Sequence, residues 1–265
     1  IRNAFWHADH VGTYLEPRIG RVSRAFDPVL RALLAPYDAT FVAGLAQARR
    51  LRGLGVKNVE HVPFGVDLAT FTPGARRDDV RRDLLDGAAP ESAVLVAVGR
   101  LAFEKRWDVV LEAFGRVRAR RPAVLVMLGD GPERERLART APPGVRFAGF
   151  EADRGRLAAM LASADLLVHA CPYETFGLGV AEAVACGLPV VVPDRGGASE
   201  SAAPASGEIY ASLDVAACEA AIVRLLERDR EQLQASARDA AARVPTAAGH
   251  VARVVAVYDS MLRAC

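Results

Sequence analysis

The 265-residue chain predicts an α/β protein built on parallel, doubly wound sheets. Three observations carry this. Short apolar runs alternate with helix-like segments from Ala93 to Leu226, the pattern of repeated βα units. Glycine-bearing loops follow these runs at Gly99, Gly131, Gly177, Gly179 and Gly196, where an open α/β sheet builds its ligand crevice. With 51% hydrophobic residues the chain can bury a large core, in one or two domains.

Taken in order, Ala4 to His7 reads as the end of a strand, followed by a polar loop through Gly12. Pro17 to Leu34 reads as a helix interrupted or kinked near Pro28, because proline lacks the N–H of the helical ladder. Its arginines Arg18, Arg21, Arg24 and Arg31 face away from Ile19, Val22 and Phe26. That pattern suits a solvated surface helix and, as an alternative, a helix lying on anionic lipid. Ala39 to Ala43 is a short strand, Leu45 to Leu54 a helix ended by Gly55, and Val59 to Val62 another strand. Phe71 to Ala89 is a linker containing a charged helix, Asp78 to Leu85. Strands are expected at Ala93 to Val98, Ala123 to Leu128, Leu166 to Ala170 and Pro189 to Pro193, with Phe147 to Phe150 following a turn. Arg243 to Cys265 is expected to form a terminal helix.

The most informative stretch is Pro172-Tyr173-Glu174-Thr175-Phe176-Gly177-Leu178-Gly179-Val180-Ala181-Glu182. It joins an apolar run to a short helix closed by Gly187, so a helix N-terminus should face outward beside the loop. Such a terminus carries unpaired N–H groups and the positive dipole end, which attract phosphate. Gly177 and Gly179 remove the Cβ atoms that would keep a phosphate off that backbone. Glu174 lies just outside the helix and Glu182 about one turn inside. One carboxylate can then reach each flank of a bound diphosphate, which suits a sugar joined to a nucleotide. A pair of glutamates is a weak signal alone. Its company is Val98-Gly99-Arg100-Leu101-Ala102-Phe103-Glu104-Lys105 upstream, Gly129-Asp130-Gly131-Pro132 and Phe147-Ala148-Gly149-Phe150 between, and Gly187-Leu188-Pro189 with Gly196-Gly197 downstream.

Other classes are disfavoured. The net charge of +2 leaves no nucleic-acid footprint, and no apolar run is long enough to cross a membrane as a helix. Gly129-Asp130-Gly131 lacks the third glycine of a dinucleotide fingerprint, and no Gly-Lys-Ser/Thr phosphate loop occurs. Cys171, Cys186, Cys218 and Cys265 form no paired metal pattern and read as small buried thiols of a protein in a reducing cytosol. His7-Ala8-Asp9-His10 is a weak metal pattern, having no fourth ligand.

From about Val94 to Gly197, the order, spacing and residue types resemble the C-terminal nucleotide-sugar domain of retaining family 4 glycosyltransferases. The resemblance implies the GT-B architecture, in which two Rossmann-like domains with parallel sheets face each other across a cleft. It places residues 1–70 in the C-terminal part of the acceptor-side domain and 71–242 in the nucleotide-sugar domain. Residues 243–265 become a helix crossing back to the first domain. Two full domains would need roughly 150 to 200 residues each, so the first half of the acceptor-side domain is expected to be missing.

Carried over residue by residue, the resemblance makes Arg100 and Lys105 the cations gripping the donor diphosphate, in a loop where both are expected to face solvent. Glu182 becomes the acceptor for the ribose hydroxyls and Glu174 the contact to the transferred sugar. Backbone groups of Phe176, Gly177 and Leu178 stand beside the phosphates, with Gly99, Gly131 and Phe150 completing the donor site. His7 corresponds to a histidine that faces the transferred sugar across the cleft, with His10 as the competing alignment and a loop or core histidine as the bland reading. Arginine, lysine and a helix dipole meet the diphosphate's charge, so no metal and no cofactor beyond the donor is required.

The chain departs from the family pattern where Ala198-Ser199-Glu200 follows Gly197 in place of Pro-Glu, and where Arg106 follows Lys105 in place of glycine. The family's glycine-rich acceptor loop is absent. The implied function is transfer of a hexosyl group from a UDP- or GDP-sugar to an acceptor hydroxyl, with lipid-linked acceptors among the family's substrates. The implied location is cytoplasmic, at the inner face of a membrane where the acceptor is a lipid. An NDP-sugar epimerase of the same fold and a non-catalytic sugar-nucleotide-binding subunit are the alternatives.

Overall fold

The structure, a computed structural model, describes residues 3–7 and 19–263. Its first sheet holds β1 (Ala4–Trp6), β2 (Ala39–Val42) and β3 (Val59–His61), all parallel and in that spatial order. A 3-10 turn over Gly20–Phe26 leads into α1 (Asp27–Leu34). The helical run is thus interrupted near Pro28, of the two forms expected, since proline fits the first turn of the new helix, where its missing N–H would have no partner. Leu34 of α1 packs with Ala48 and Leu51 of α2 (Leu45–Gly53) and with Val42 and Val59 on one face of the sheet.

The second sheet follows α3 (Asp78–Leu85). It comprises β4 (Ala93–Val98), β5 (Ala123–Leu128), β6 (Val145–Gly149), β7 (Leu166–Val168), β8 (Val190–Pro193) and β9 (Gly207–Tyr210). The helices between them are α4 (Trp107–Arg118), α5 (Arg134–Thr140), α6 (Arg154–Ser163) and α7 (Leu178–Ala185). The spatial order is β6-β5-β4-β7-β8-β9, with every neighbouring pair parallel. The chain winds outward from β4 to one edge and from β7 to the other. Two adjacent strands thus send their following loops in opposite directions, and a crevice opens between those loops. The strands are near-continuous Val, Leu and Ala because both faces are covered: β4 and β5 bury all but the last of their side chains or all of them. Phe147, Ala148 and Gly149 follow a turn at Pro143 and Gly144, as expected, and belong to β6 itself, with Phe150 the first residue to leave it.

Helices α8 (Val215–Leu226) and α9 (Arg230–Ala241) complete the second sheet's layers. The chain then crosses back as α10 (Ala247–Arg263), whose Val257 packs with Ala39, Phe41 and Val62 of the first sheet. The helix expected from Arg243 begins only at Ala247, because the intervening segment pairs with the outgoing crossing. Val66 N–H donates to Pro245 O at 2.8 Å, and Ala247 N–H donates to Val66 O at 3.0 Å. Gly65 allows this contact: a Cβ there would lie 2.1 Å from Thr246 O.

Candidate functional site

A crevice of about 670 Å³ lies outside the C-terminal ends of β4, β5, β6 and β7, at the point where the winding reverses. That volume suits a small-molecule ligand. Val98, Gly99, Arg100 and Lys105 wall it from the loop after β4, and Gly129 and Asp130 from the loop after β5. Phe150 and Arg154 close it from the β6 side, while Glu174, Gly177, Leu178 and Glu182 close it from the β7 side. Most residues assigned to donor contact by sequence therefore share one cavity, although they span 84 positions of chain from Gly99 to Glu182.

Helix α7 aims its N-terminus at the crevice. Gly177 caps it with φ +86°, a left-handed conformation, and a Cβ there would press on Ala198 at 3.1 Å. The first turn of any helix leaves its N–H groups without intrahelical acceptors, so Leu178 and Gly179 present donors to the cavity.

Glu174 and Lys105 form one end of the site. Lys105 Nζ stands 2.5 Å from Glu174 Oε2, with both side chains about one-fifth exposed. The expectation that Lys105 faces solvent is corrected. The chain turns back through the left-handed Arg106 and a short 3-10 segment, Phe103–Lys105, and this draws the ammonium inward toward the carboxylate. Arg100 is exposed as expected. Burial pushes the Glu174 carboxyl up, but His169 and Lys105 outweigh it and hold it down at about 2. Burial likewise works against the Lys105 charge, and Glu174 overcomes it, holding the ammonium above its ordinary value.

His169 was not singled out by sequence, since it lies in an apolar run read as strand. The strand ends one residue earlier, yet His169 N–H still donates to Val191 O at 2.8 Å, and its carbonyl accepts from the Tyr210 hydroxyl at 2.9 Å. Those bonds fix a buried imidazole edge-on to Trp107, with Nε2 3.5 Å from Glu174 Oε2 and lining the crevice.

At the other end, Glu182 keeps only 3% of its surface. Arg154 Nη2 approaches its Oε1 at 2.5 Å, while the Arg154 guanidinium lies 4.6 Å over the Phe71 ring. Arg154 is the second residue the sequence reading missed. Nothing in its local pattern separates it from the other arginines of a charged helix start.

Three expected contacts fall outside the cavity walls. Phe176 is buried and meets Phe64 edge-on at 5.6 Å, bracing the two sheets against each other. Gly131 packs its Cα hydrogens against Leu101, where a Cβ would lie 2.4 Å from the carbonyl oxygen. His7 is buried at the end of β1, its N–H donating to Phe41 O at 2.9 Å; His10, with the loop through Gly12, lies outside the described residues. Glu200 does hold a specific position. Its two carboxylate oxygens accept from Leu45 N–H and Ala46 N–H at 2.8 Å each, joining the second unit to the start of α2.

His169, Cys171 and Glu174 bring three ligand-type atoms within 4.8 Å. The set fits a metal poorly. Glu174 Oε2 already faces an ammonium, and burial pushes the Cys171 thiol up to about 12, keeping it protonated. Cys186 and Cys218 are likewise buried thiols pushed up to about 12 by burial.

The architecture defines a class. Anabaena HepE, solved with UDP and glucose, superposes with a TM-score of 0.77 at 17% identity over 98% of this chain and 72% of that one. Sucrose-phosphate synthase of Thermosynechococcus elongatus gives 0.80 at 21% identity, over 99% and 68%. These likenesses establish the fold, that of the two-domain GT-B glycosyltransferases. The chain belongs to the Glycosyl transferases group 1 family, which matches residues 92–228. It is 39% identical over 187 residues to a GDP-mannose-dependent alpha-(1-6)-phosphatidylinositol dimannoside mannosyltransferase of Mycobacterium tuberculosis, covering 69% of this chain and 48% of that protein. It is 33% identical over 242 residues to a GDP-mannose-dependent alpha-mannosyltransferase of Mycolicibacterium smegmatis, covering 91% and 62%. The chain thus spans about half to three-fifths of the length of these curated relatives.

Proposed function

We propose that this chain carries the donor site of a retaining hexosyltransferase, which moves a hexosyl group from a nucleoside diphosphate sugar to an acceptor hydroxyl. One observation carries the reading. A single crevice at the reversal of the sheet gathers Arg100, Lys105, the α7 N-terminus and two separately held carboxylates. As the glycosidic bond to the diphosphate breaks, negative charge grows on the leaving group. Arg100 offers a fork matched to phosphate oxygens, Lys105 a mobile point charge, and Leu178 and Gly179 fixed N–H donors. Groups aimed where charge develops stabilise the transition state more than the ground state. Glu182 accepts from the ribose diol and Glu174 from hydroxyls of the transferred sugar. No carboxylate nucleophile is assigned: the acceptor hydroxyl attacks as the phosphate departs, and a phosphate oxygen takes its proton. With two cations and a helix terminus on the diphosphate, a metal has no task left.

The relatives' names favour GDP-mannose as donor and a phosphatidylinositol mannoside as acceptor. No described helix is long and apolar enough to cross a membrane. Val22, Phe26, Val29 and Leu33 are exposed near Arg24 and Arg31, which supports peripheral contact with an anionic membrane. Product analysis with the full-length protein, GDP-mannose or UDP-glucose, and a panel of lipid and sugar acceptors tests the reading. Transfer supports it. An isomerised donor would indicate an epimerase, and binding without turnover a non-catalytic subunit.

A further inference from the structure

Glu174 Oε2 is approached from two sides by basic groups, one in close contact and one at the outer limit of hydrogen-bond reach. Lys105 Nζ holds it at 2.5 Å. His169 Nε2 stands 3.5 Å from the same oxygen and has no hydrogen-bond partner among the described residues. A buried ring nitrogen left unbonded is costly, and buried polar groups are nearly always paired. The imidazole cannot drift to find a partner elsewhere. Its backbone is tied to Val191 and Tyr210, and Trp107 stands against its ring. It is 97% buried and forms part of the crevice wall.

Resting on the donor-site reading above, we infer that His169 is a positioning residue that takes over Glu174 Oε2 when Lys105 turns to the donor diphosphate. A diphosphate offers Lys105 more negative charge than one carboxylate, and the flexible four-carbon stem lets the ammonium follow it. That departure would strip a mostly buried carboxylate of its counter-charge. His169 Nε2–H, a few tenths of an ångström beyond bonding distance, then closes onto Oε2. Glu174 keeps its ionisation and orientation, with its second oxygen open to the sugar. One site thereby passes a single carboxylate between two donors, and the exchange makes sugar alignment conditional on diphosphate binding.

The test follows the histidine ring nitrogens of the 15N-labelled chain by long-range proton–nitrogen correlation spectra, with His169→Gln assigning the His169 signals. The probes are GDP and UDP without sugar, their binding measured in parallel by calorimetry. The His169 Nε2 signal should move to the hydrogen-bonded N–H position on saturation with the nucleotide that binds. It should already stand there, without nucleotide, in Lys105→Met. A His169 signal that stays in place in Lys105→Met, or in wild-type chain shown to be nucleotide-saturated, overturns the hand-over. If neither nucleotide binds but Lys105→Met still moves the signal, the donor-site reading fails and the diphosphate trigger with it, while the competition of Lys105 and His169 for Glu174 stands. In the full-length protein, His169→Phe should lower kcat about ten- to a hundredfold, as for a lost hydrogen bond to a charged group, while nucleoside diphosphate affinity holds. His169→Gln, which can still donate, should recover much of that loss. An equal loss in both variants would leave only a structural role for the ring.

Discussion

At one end of the crevice Glu174 shares its oxygen with a lysine as shielded as itself, whereas at the other Glu182, only 4% exposed in its side chain, meets an arginine that is 56% exposed. The two carboxylates come from one loop-helix segment, seven residues lying between them. They are nevertheless held in opposite ways. Water screens the Arg154 head group, so its pairing with Glu182 is weak and can be displaced by a ribose. Lys105 has little water to fall back on, so it leaves Glu174 only for a stronger anion. The two carboxylates thus differ less in depth than in the exposure of the cation that each one meets.

The largest expected effect comes from removing the two cations of the loop after β4. Arg100→Ala or Lys105→Ala should lower turnover of the full-length enzyme on the order of 10² to 10³, like other lost charge-stabilising donors. Near-normal turnover in both would put the leaving group elsewhere. The stability consequences should differ. Thermal unfolding should show little change for exposed Arg100→Ala, but a loss of about 1 to 3 kcal/mol for Lys105→Ala, which removes the cation nearest to a shielded carboxylate.

The second effect separates the carboxylates themselves. Glu182→Gln should weaken binding of free nucleoside diphosphate and intact donor alike. Glu174→Gln should spare nucleoside diphosphate affinity and depress single-turnover transfer. Equal loss of nucleotide binding in both would show that the two ends of the crevice do not divide the donor between them.

A third measurement concerns pH. Glu174 is held at about 2 against an ordinary 4.5, so its folded value is depressed. Such a group contributes stability above pH 4.5 that is lost as pH falls toward 2, by at most about 3 kcal/mol. Acid unfolding of Glu174→Gln should therefore be less steep across that window than that of the wild-type chain. Identical acid profiles would remove the claimed strength of the Lys105 and His169 contacts.

The smallest effect on the donor site is expected at Arg154. Arg154→Ala should alter nucleotide affinity by only severalfold, because a bound ribose takes its place on Glu182, while thermal stability should fall by about 1 to 3 kcal/mol, since the variant strands a buried carboxylate. A collapse of nucleotide binding would make this end of the site as tightly coupled as the other.

Much of this was legible in the order of residues. The β4 and β5 runs and the charged helix Asp78–Leu85 follow from periodicity, because a strand buried on both faces must be apolar throughout and a surface helix need be so on one side only. The glycines beside the strands and the helix start at Leu178 mark where phosphate can approach, since those are local properties of backbone and cap. What the sequence could not determine is which distant residues meet. Lys105 and Glu174 are 69 positions apart, Arg154 and Glu182 28, Glu200 and Leu45 155. Each pair exists because β7 lies beside β4 and because the two crossings at Val66 and Thr246 seat one sheet against the other. His169 shows the limit most clearly. By pattern it belongs to a buried strand, and only the neighbouring strands' hydrogen bonds turn its ring into the crevice, where chemistry rather than packing gives it a task.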